Sequence, residues 1–139
     1  MTANDGFTLH PRLATDTIAV ATLPLSELRL MDDVRFPWLI LVPRRKDVVG
    51  LLDLDDAEQT LLLQEIRRCA NVLQQLHAPH RINIALIGNL VPQLHAHVVA
   101  RFEGDAAWPQ PVWGHGQVQR HHADECTARI AAIHGALAR

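Results

Sequence analysis

From about Asp55 to His77 the chain carries one unbroken apolar stripe, Leu62, Ile66, Cys69, Leu73 and Leu76, at spacings of four and three. That is the period of a helix with a single apolar face. Asp55, with Glu58 three residues on, predicts a capping box at its start, and Pro79 blocks continuation at its end. Such a stripe is core-facing packing and implies no cofactor. It must lie on a complementary apolar layer, so the remaining question is whether the chain supplies a sheet.

It does. Phe7-Thr8-Leu9 and Thr17 to Thr22 read as short strands, the second ended by Pro24. Leu28 to Met31 follows, closed by the turn-like Asp32-Asp33, and Trp38 to Val42 is a compact apolar run of buried-strand type before Pro43. After the long helix, Arg81 to Ile87 and about Gln93 to Phe102 flank a turn at Gly88-Asn89, which predicts a β-hairpin. Pro92 points to a loop longer than two residues. A last helix over about Ala123 to Leu137 places Cys126, Ile130, Ile133 and Leu137 on one face. Strands, helix, hairpin and helix in that order predict an α+β domain with an antiparallel sheet.

With 139 residues, 48% of them hydrophobic and 20% charged, the chain is sized for one domain spanning 1–139 with a real core. A net charge of -2 excludes the broad basic footprint of a nucleic-acid binder, so any anion site is local. Met1 to Gly6 lacks the charge and apolar run of a signal peptide, and no apolar stretch is long enough to cross a bilayer. Cys69 and Cys126 both fall on apolar helix faces and read as free thiols of a cytoplasmic protein.

The chemistry concentrates in the second hairpin strand, Gln93-Leu94-His95-Ala96-His97-Val98-Val99-Ala100-Arg101. Strand alternation sends Leu94, Ala96, Val98 and Ala100 beneath the long helix and lines up Gln93, His95, His97 and Val99 on the opposite, accessible face, about 6.5 Å per step. Two imidazoles and a carboxamide in a row on a rigid strand make a site candidate. Two exposed histidines alternating on a half-wet sheet would look the same, and so would a pair of Zn²⁺ ligands with a third from His115, His121, His122 or His10. No HExxH or CxxC pattern accompanies the metal alternative.

These residues resemble the histidine triad (HIT) family, named for His-φ-His-φ-His-φ-φ with φ apolar. Gln93-Leu94-His95-Ala96-His97-Val98-Val99 matches at every position except the first, where Gln93 replaces His. The resemblance covers about residues 8–110 in the same element order, with a C-terminal helical extension over about 120–138. It implies a five-stranded antiparallel sheet under a long helix, a homodimer and a nucleotide ligand, with no cofactor and no metal. By position, His95 matches the family's nucleophile toward the α-phosphate, which forms a nucleotidyl-histidine that water hydrolyses. Its other ring nitrogen is expected on a backbone carbonyl, here that of Gln93. His97 matches the histidine that binds phosphate oxygens and stabilises developing charge. Asp32, with Asp33 as the alternative, matches the residue that holds the ribose, although a turn-forming pair explains both. Asn89 lies beside the phosphates or simply forms the turn.

Three features depart from the family pattern. Gln93 stands for the first histidine, Trp38 stands where many members carry a further histidine, and the loop from Asn89 to Gln93 lacks the family's phosphate-contacting Gly-Gln-Ser/Thr-Val segment. Trp108-Pro109 and Trp113-Gly114 lie where some members' tails touch the partner subunit, or they anchor an irregular segment. The resemblance therefore implies a divergent nucleotidyl hydrolase or transferase, and the departures leave a nucleotide-binding protein without efficient turnover as the alternative.

Overall fold

A computed structural model describes residues 6–139, and Met1–Asp5, where the expected lack of signal-peptide character begins, lies outside the described residues. In chain order the elements are α1 (Pro11–Asp16), β1 (Thr17–Thr22), β2 (Ser26–Met31), β3 (Trp38–Pro43), a 3-10 turn (Leu51–Asp53), α2 (Asp56–His77), β4 (Arg81–Ala85), β5 (Ala96–Arg101) and α3 (Ala123–Leu137). The sheet has the order β1-β2-β3-β5-β4, every neighbouring pair antiparallel. This is the expected α+β fold with five antiparallel strands.

The long helix starts where its capping box predicts. The Glu58 N–H donates to Asp55 Oδ1 at 2.8 Å, and the Asp55 N–H donates back to Glu58 Oε1 at 3.0 Å. At the far end Ala78 turns left-handed (φ 44°) and its N–H caps the Gln74 carbonyl. Leu62, Ile66, Cys69 and Leu73 then bury against Leu28, Leu30, Leu39, Leu41, Ala96, Val98 and Ala100, and Ile133 of α3 closes the same cluster. The opposite face of the sheet is also covered: Trp38, Ile40, Val42 and Val99 pack with Leu13, Phe36, Val91, Ala107 and Val112. All six residues of β3 and of β5 are consequently buried.

Three local expectations are corrected. Phe7-Thr8-Leu9 forms no strand; it is an extended arm leading into α1, a helix the sequence reading missed. Pro11 at the first helical turn and the His10 side chain, which accepts the Arg12 N–H at 3.0 Å, start that helix. The last strand begins at Ala96 and not at Gln93, so His95 stands just before the ladder and His97 within it, paired with Ile40 and Ala85. The β4 strand stops at Ala85, leaving 86–95 as a loop that folds over the site.

The segment after β5 is irregular but held. Arg101 is wholly buried, with its guanidinium on both oxygens of Asp105 (2.9 and 3.2 Å), on Asn83 Oδ1 and on the Gln110 carbonyl. Asp105 in turn accepts the N–H groups of Phe102, Ala107 and Trp108. Burial works to raise the Asp105 pKa, but the Arg101 guanidinium and the three N–H groups outweigh it and hold the carboxyl down at about 2. Among the described residues, no helix is long and apolar enough to cross a membrane.

Candidate functional site

Strand alternation delivers His97 to the face opposite α2, and the turn before β5 brings His95 to the same face. Their ring centroids lie 4.8 Å apart. The expected accessible row is not what forms: His95 is 7% exposed and His97 4%, at the floor of a cleft of about 430 Å³. Trp38, Trp113, Met31, Val91 and Asn89 line its walls, with Arg12 and Asp16 from α1 at the rim. The rings are sunken because α1 and the 107–113 segment cover a sheet face that strand periodicity alone leaves open.

Hydrogen bonds determine the protonation of each ring. His95 Nδ1 lies 2.7 Å from the Gln93 carbonyl. A carbonyl only accepts, so Nδ1 carries the hydrogen and Nε2 holds the lone pair. This is the backbone contact expected for a nucleophilic histidine. The Trp38 indole N–H lies 3.1 Å from His97 Nδ1. An indole only donates, so the tautomer of His97 is the reverse, with a lone pair on Nδ1 and the hydrogen on Nε2. Among the described residues neither Nε2 has a hydrogen-bond partner, and neither is a buried orphan. The cleft floor thus presents one acceptor and one donor side by side.

Both rings are held neutral. Burial lowers the His95 pKa against the raising effect of the Gln93 carbonyl, and the His10 ring adds a smaller push downward. Burial, with His95 beside it, lowers His97 further, to about 3. No lysine or arginine takes part in these shifts.

The other predicted residues are placed as follows. Asn89 lines the cleft. Gln93 turns away from it: its carboxamide accepts the His10 N–H and donates to the Thr8 carbonyl, each at 2.8 Å. Asp32 is held by the C-terminal segment, accepting from the His121 N–H and Nδ1 at 2.9 Å and from Arg120 at 3.0 Å. Burial raises its pKa, but these donors prevail and keep it low. Asp33 is 1% exposed, with both carboxylate oxygens on Arg35. Trp108 stacks edge-on against His80 and over Arg101, whereas Trp113 stands against His97 with centroids 5.3 Å apart. The Trp38 donor and the arm tied by Gln93 carry no local sequence signal, because both are contacts between distant segments. The family resemblance marked Trp38 as the replacement of a further histidine and Trp113 as part of the tail, but neither reading gave the indole contact to His97.

Of the four histidines considered as a third metal ligand, His121 is spent on Asp32 and Arg129. Among the described residues, no group of three or more His, Cys, Asp or Glu side chains is placed to hold a metal.

Comparison with known proteins agrees with the fold. The HIT domain profile matches residues 12–104. A histidine triad protein from Bradyrhizobium japonicum superimposes with a TM-score of 0.92 at 46% identity, over 94% of this chain and 98% of that one. A histidine triad (HIT) protein from Sinorhizobium meliloti gives 0.92 at 42% identity, over 95% and 98%. An AP-4-A phosphorylase of Mycobacterium tuberculosis is 36% identical over 74 residues, 49% of this chain and 37% of that protein. The chain therefore spans well under half the length of the curated relatives it matches.

Proposed function

Since the chain belongs to the HIT domain family, we propose that it binds a nucleotide conjugate in the cleft and transfers its nucleotidyl group to His95, from which water releases the nucleotide. One observation carries this reading: the Gln93 carbonyl fixes the hydrogen of His95 on Nδ1, which leaves Nε2 as a bare, oriented lone pair at the cleft floor. His97, 4.8 Å away between ring centroids, offers an N–H toward a phosphate oxygen. Its role is that of a neutral donor, since burial and His95 keep it uncharged. Asn89 contacts the ligand directly. Asp32 and Gln93 act through the segments they hold, the 120–121 stretch and the 8–10 arm. The relationship to an AP-4-A phosphorylase supports a nucleotide conjugate as the substrate class.

A second reading, nucleotide binding without efficient turnover, is favoured by the commitment of the Gln93 carboxamide to Thr8 and His10, away from the cleft. Incubating the full chain with nucleoside phosphoramidates and dinucleoside polyphosphates, with and without chelator, separates the two. Turnover with a nucleotide-sized mass increment that vanishes in His95→Ala supports the covalent route. Binding with no turnover selects the second reading. Loss of function with chelator would restore the metal alternative.

A homodimer is part of the proposal. Among the described residues the β4 strand pairs only with β5, so its outer edge is open, and Ile84 on it and Leu86, Leu63 and Leu51 near it are 53%, 42%, 66% and 37% exposed. An open edge flanked by apolar side chains is a surface that soluble proteins cover.

A further inference from the structure

We propose that Trp38 is a positioning residue that holds His97 as a permanently neutral Nε2–H donor, so that the site takes conjugates whose leaving group departs as an anion, such as phosphate or a polyphosphate, in preference to amines. The consequence for leaving groups rests on the nucleotidyl-transfer reading above; the state of His97 does not.

The geometry is specific. Trp38 on β3 is 6% exposed and His97 on the adjacent β5 is 4% exposed. The indole N–H meets Nδ1 at 3.1 Å, and Trp113 stands edge-on to both rings, at 6.0 Å from Trp38 and 5.3 Å from His97. Protonating His97 would place a hydrogen on Nδ1, facing the indole hydrogen across that same gap. Two donors in opposition between buried side chains would break the contact and leave both unsatisfied. Among the described residues the titratable and charged groups around the cleft are His95, Arg12 and Asp16, with the His10 ring acting on His95 from the N-terminal arm. The Arg12 and Asp16 side chains pair with each other at 3.5 Å, 59% and 40% exposed, which keeps the Asp16 carboxylate occupied at the rim. His97 therefore works as a hydrogen-bond donor in every step and never as an acid.

His95 cannot fill that role while it attacks. In the first step Nε2 forms a bond to the α-phosphorus, the bridging bond to the leaving group breaks, and its electron pair leaves with the bridging atom. The ring, still carrying the hydrogen on Nδ1, takes up the positive charge against the Gln93 carbonyl. No proton is transferred. A bridging oxygen of a phosphate or polyphosphate is stable as the departing anion, whereas a bridging nitrogen must be protonated to depart as an amine. In the second step water attacks phosphorus, the N–P bond breaks, His95 returns neutral, and the proton goes to solvent.

Two measurements on the full chain test this. The first needs no ligand: ring ¹⁵N shifts of His97 across the acidic to neutral range. The expected result is a proton on Nε2 alone down to the acid limit of the fold. A proton on Nδ1, or uptake of a second proton near neutral pH, would overturn the role of Trp38. In Trp38→Phe, which keeps a ring and removes the N–H, the His97 titration should move up by about one pH unit or more. An unchanged titration in a folded variant likewise removes Trp38 from the account. The second compares kcat/KM for a dinucleoside polyphosphate and for a phosphoramidate of the same nucleoside. The polyphosphate should be favoured by about 10²-fold or more, the usual contribution of a general acid that the amine would need. Equal or faster cleavage of the phosphoramidate overturns the leaving-group claim. Turnover of neither rejects the nucleotidyl-transfer reading, and the leaving-group preference with it, while the ¹⁵N measurement still decides the role of Trp38.

Discussion

The carboxamide of Gln93 accepts the backbone N–H of His10 at 2.8 Å, joining two points 83 residues apart. The same carboxamide donates to the Thr8 carbonyl at 2.8 Å, so one side chain at the altered triad position pins the N-terminal arm against the site. An imidazole has a donor and an acceptor too, but on rigid ring positions that do not match this backbone pair. Gln93→His should therefore keep turnover similar, because the contact to His95 comes from the backbone carbonyl. It should also lower stability by about 1–2 kcal/mol, the net worth of two partly exposed hydrogen bonds. Denaturant unfolding and steady-state kinetics on one preparation check both halves; a large gain in rate with no loss of stability would contradict the latch.

His95→Ala should remove turnover almost entirely. His97→Ala should reduce it by on the order of 10²-fold, as for loss of one preorganised donor. The two are separable by mass spectrometry, since only His95→Ala should abolish the nucleotide adduct. Wild-type rates in His95→Ala would reject the covalent route.

The pH dependence follows from the shifted rings. Protonated His95 cannot attack, and its pKa is held below the ordinary 6.5 by burial. The acid limb of kcat/KM should accordingly lie below 6.5. A limb at or above 6.5 would show that a group other than a buried neutral histidine controls the rate.

His97 links the site to stability. Its pKa is about 3 folded against 6.5 ordinarily, so the unfolded chain binds the proton more tightly. The stabilising contribution is fully present above 6.5 and is lost as pH falls toward 3. Between about pH 7 and pH 5 this amounts to about 2 kcal/mol. His97→Gln, which cannot titrate, should show a correspondingly smaller drop across that interval in denaturant unfolding. An identical drop in both proteins would mean that His97 is readily protonated.

Arg101 and Asp105 hold the 102–113 segment that carries Trp113 to the cleft. Asp105→Asn leaves a buried guanidinium without its counter-charge and should cost about 3 kcal/mol or more at neutral pH. The Asp105 carboxyl titrates at about 2 against an ordinary 3.8, so the stability it contributes is present above 3.8 and lost as pH falls through 2. The gap between wild type and variant should close over that same window, which thermal melts at stepped pH would reveal.

If the open edge of β4 is the dimer contact, Ile84→Lys should shift light scattering from dimer to monomer mass while leaving the fold intact. A monomeric wild type at micromolar concentration would remove that part of the proposal.

The main elements were legible because their signals are local. The stripe of α2, its Asp55–Glu58 box, the α3 face and the β1, β2 and β3 runs need only neighbours within a turn or a strand step. The alternation that sets His97 opposite α2 was legible for the same reason, whereas the Gln93 carbonyl on His95 was implied by the family resemblance. What only the tertiary structure decided is the depth and electronic state of the site. Trp38 and His97 are 59 residues apart, Gln93 and His10 are 83 apart, and Asp32 and His121 are 89 apart. No periodicity encodes such pairs. Whether an imidazole is exposed or sunken, a donor or an acceptor, depends on what folds over it and on which nitrogen that partner occupies. In this chain that covering comes from α1 and the 107–113 segment, both at a distance in sequence from the strand they close.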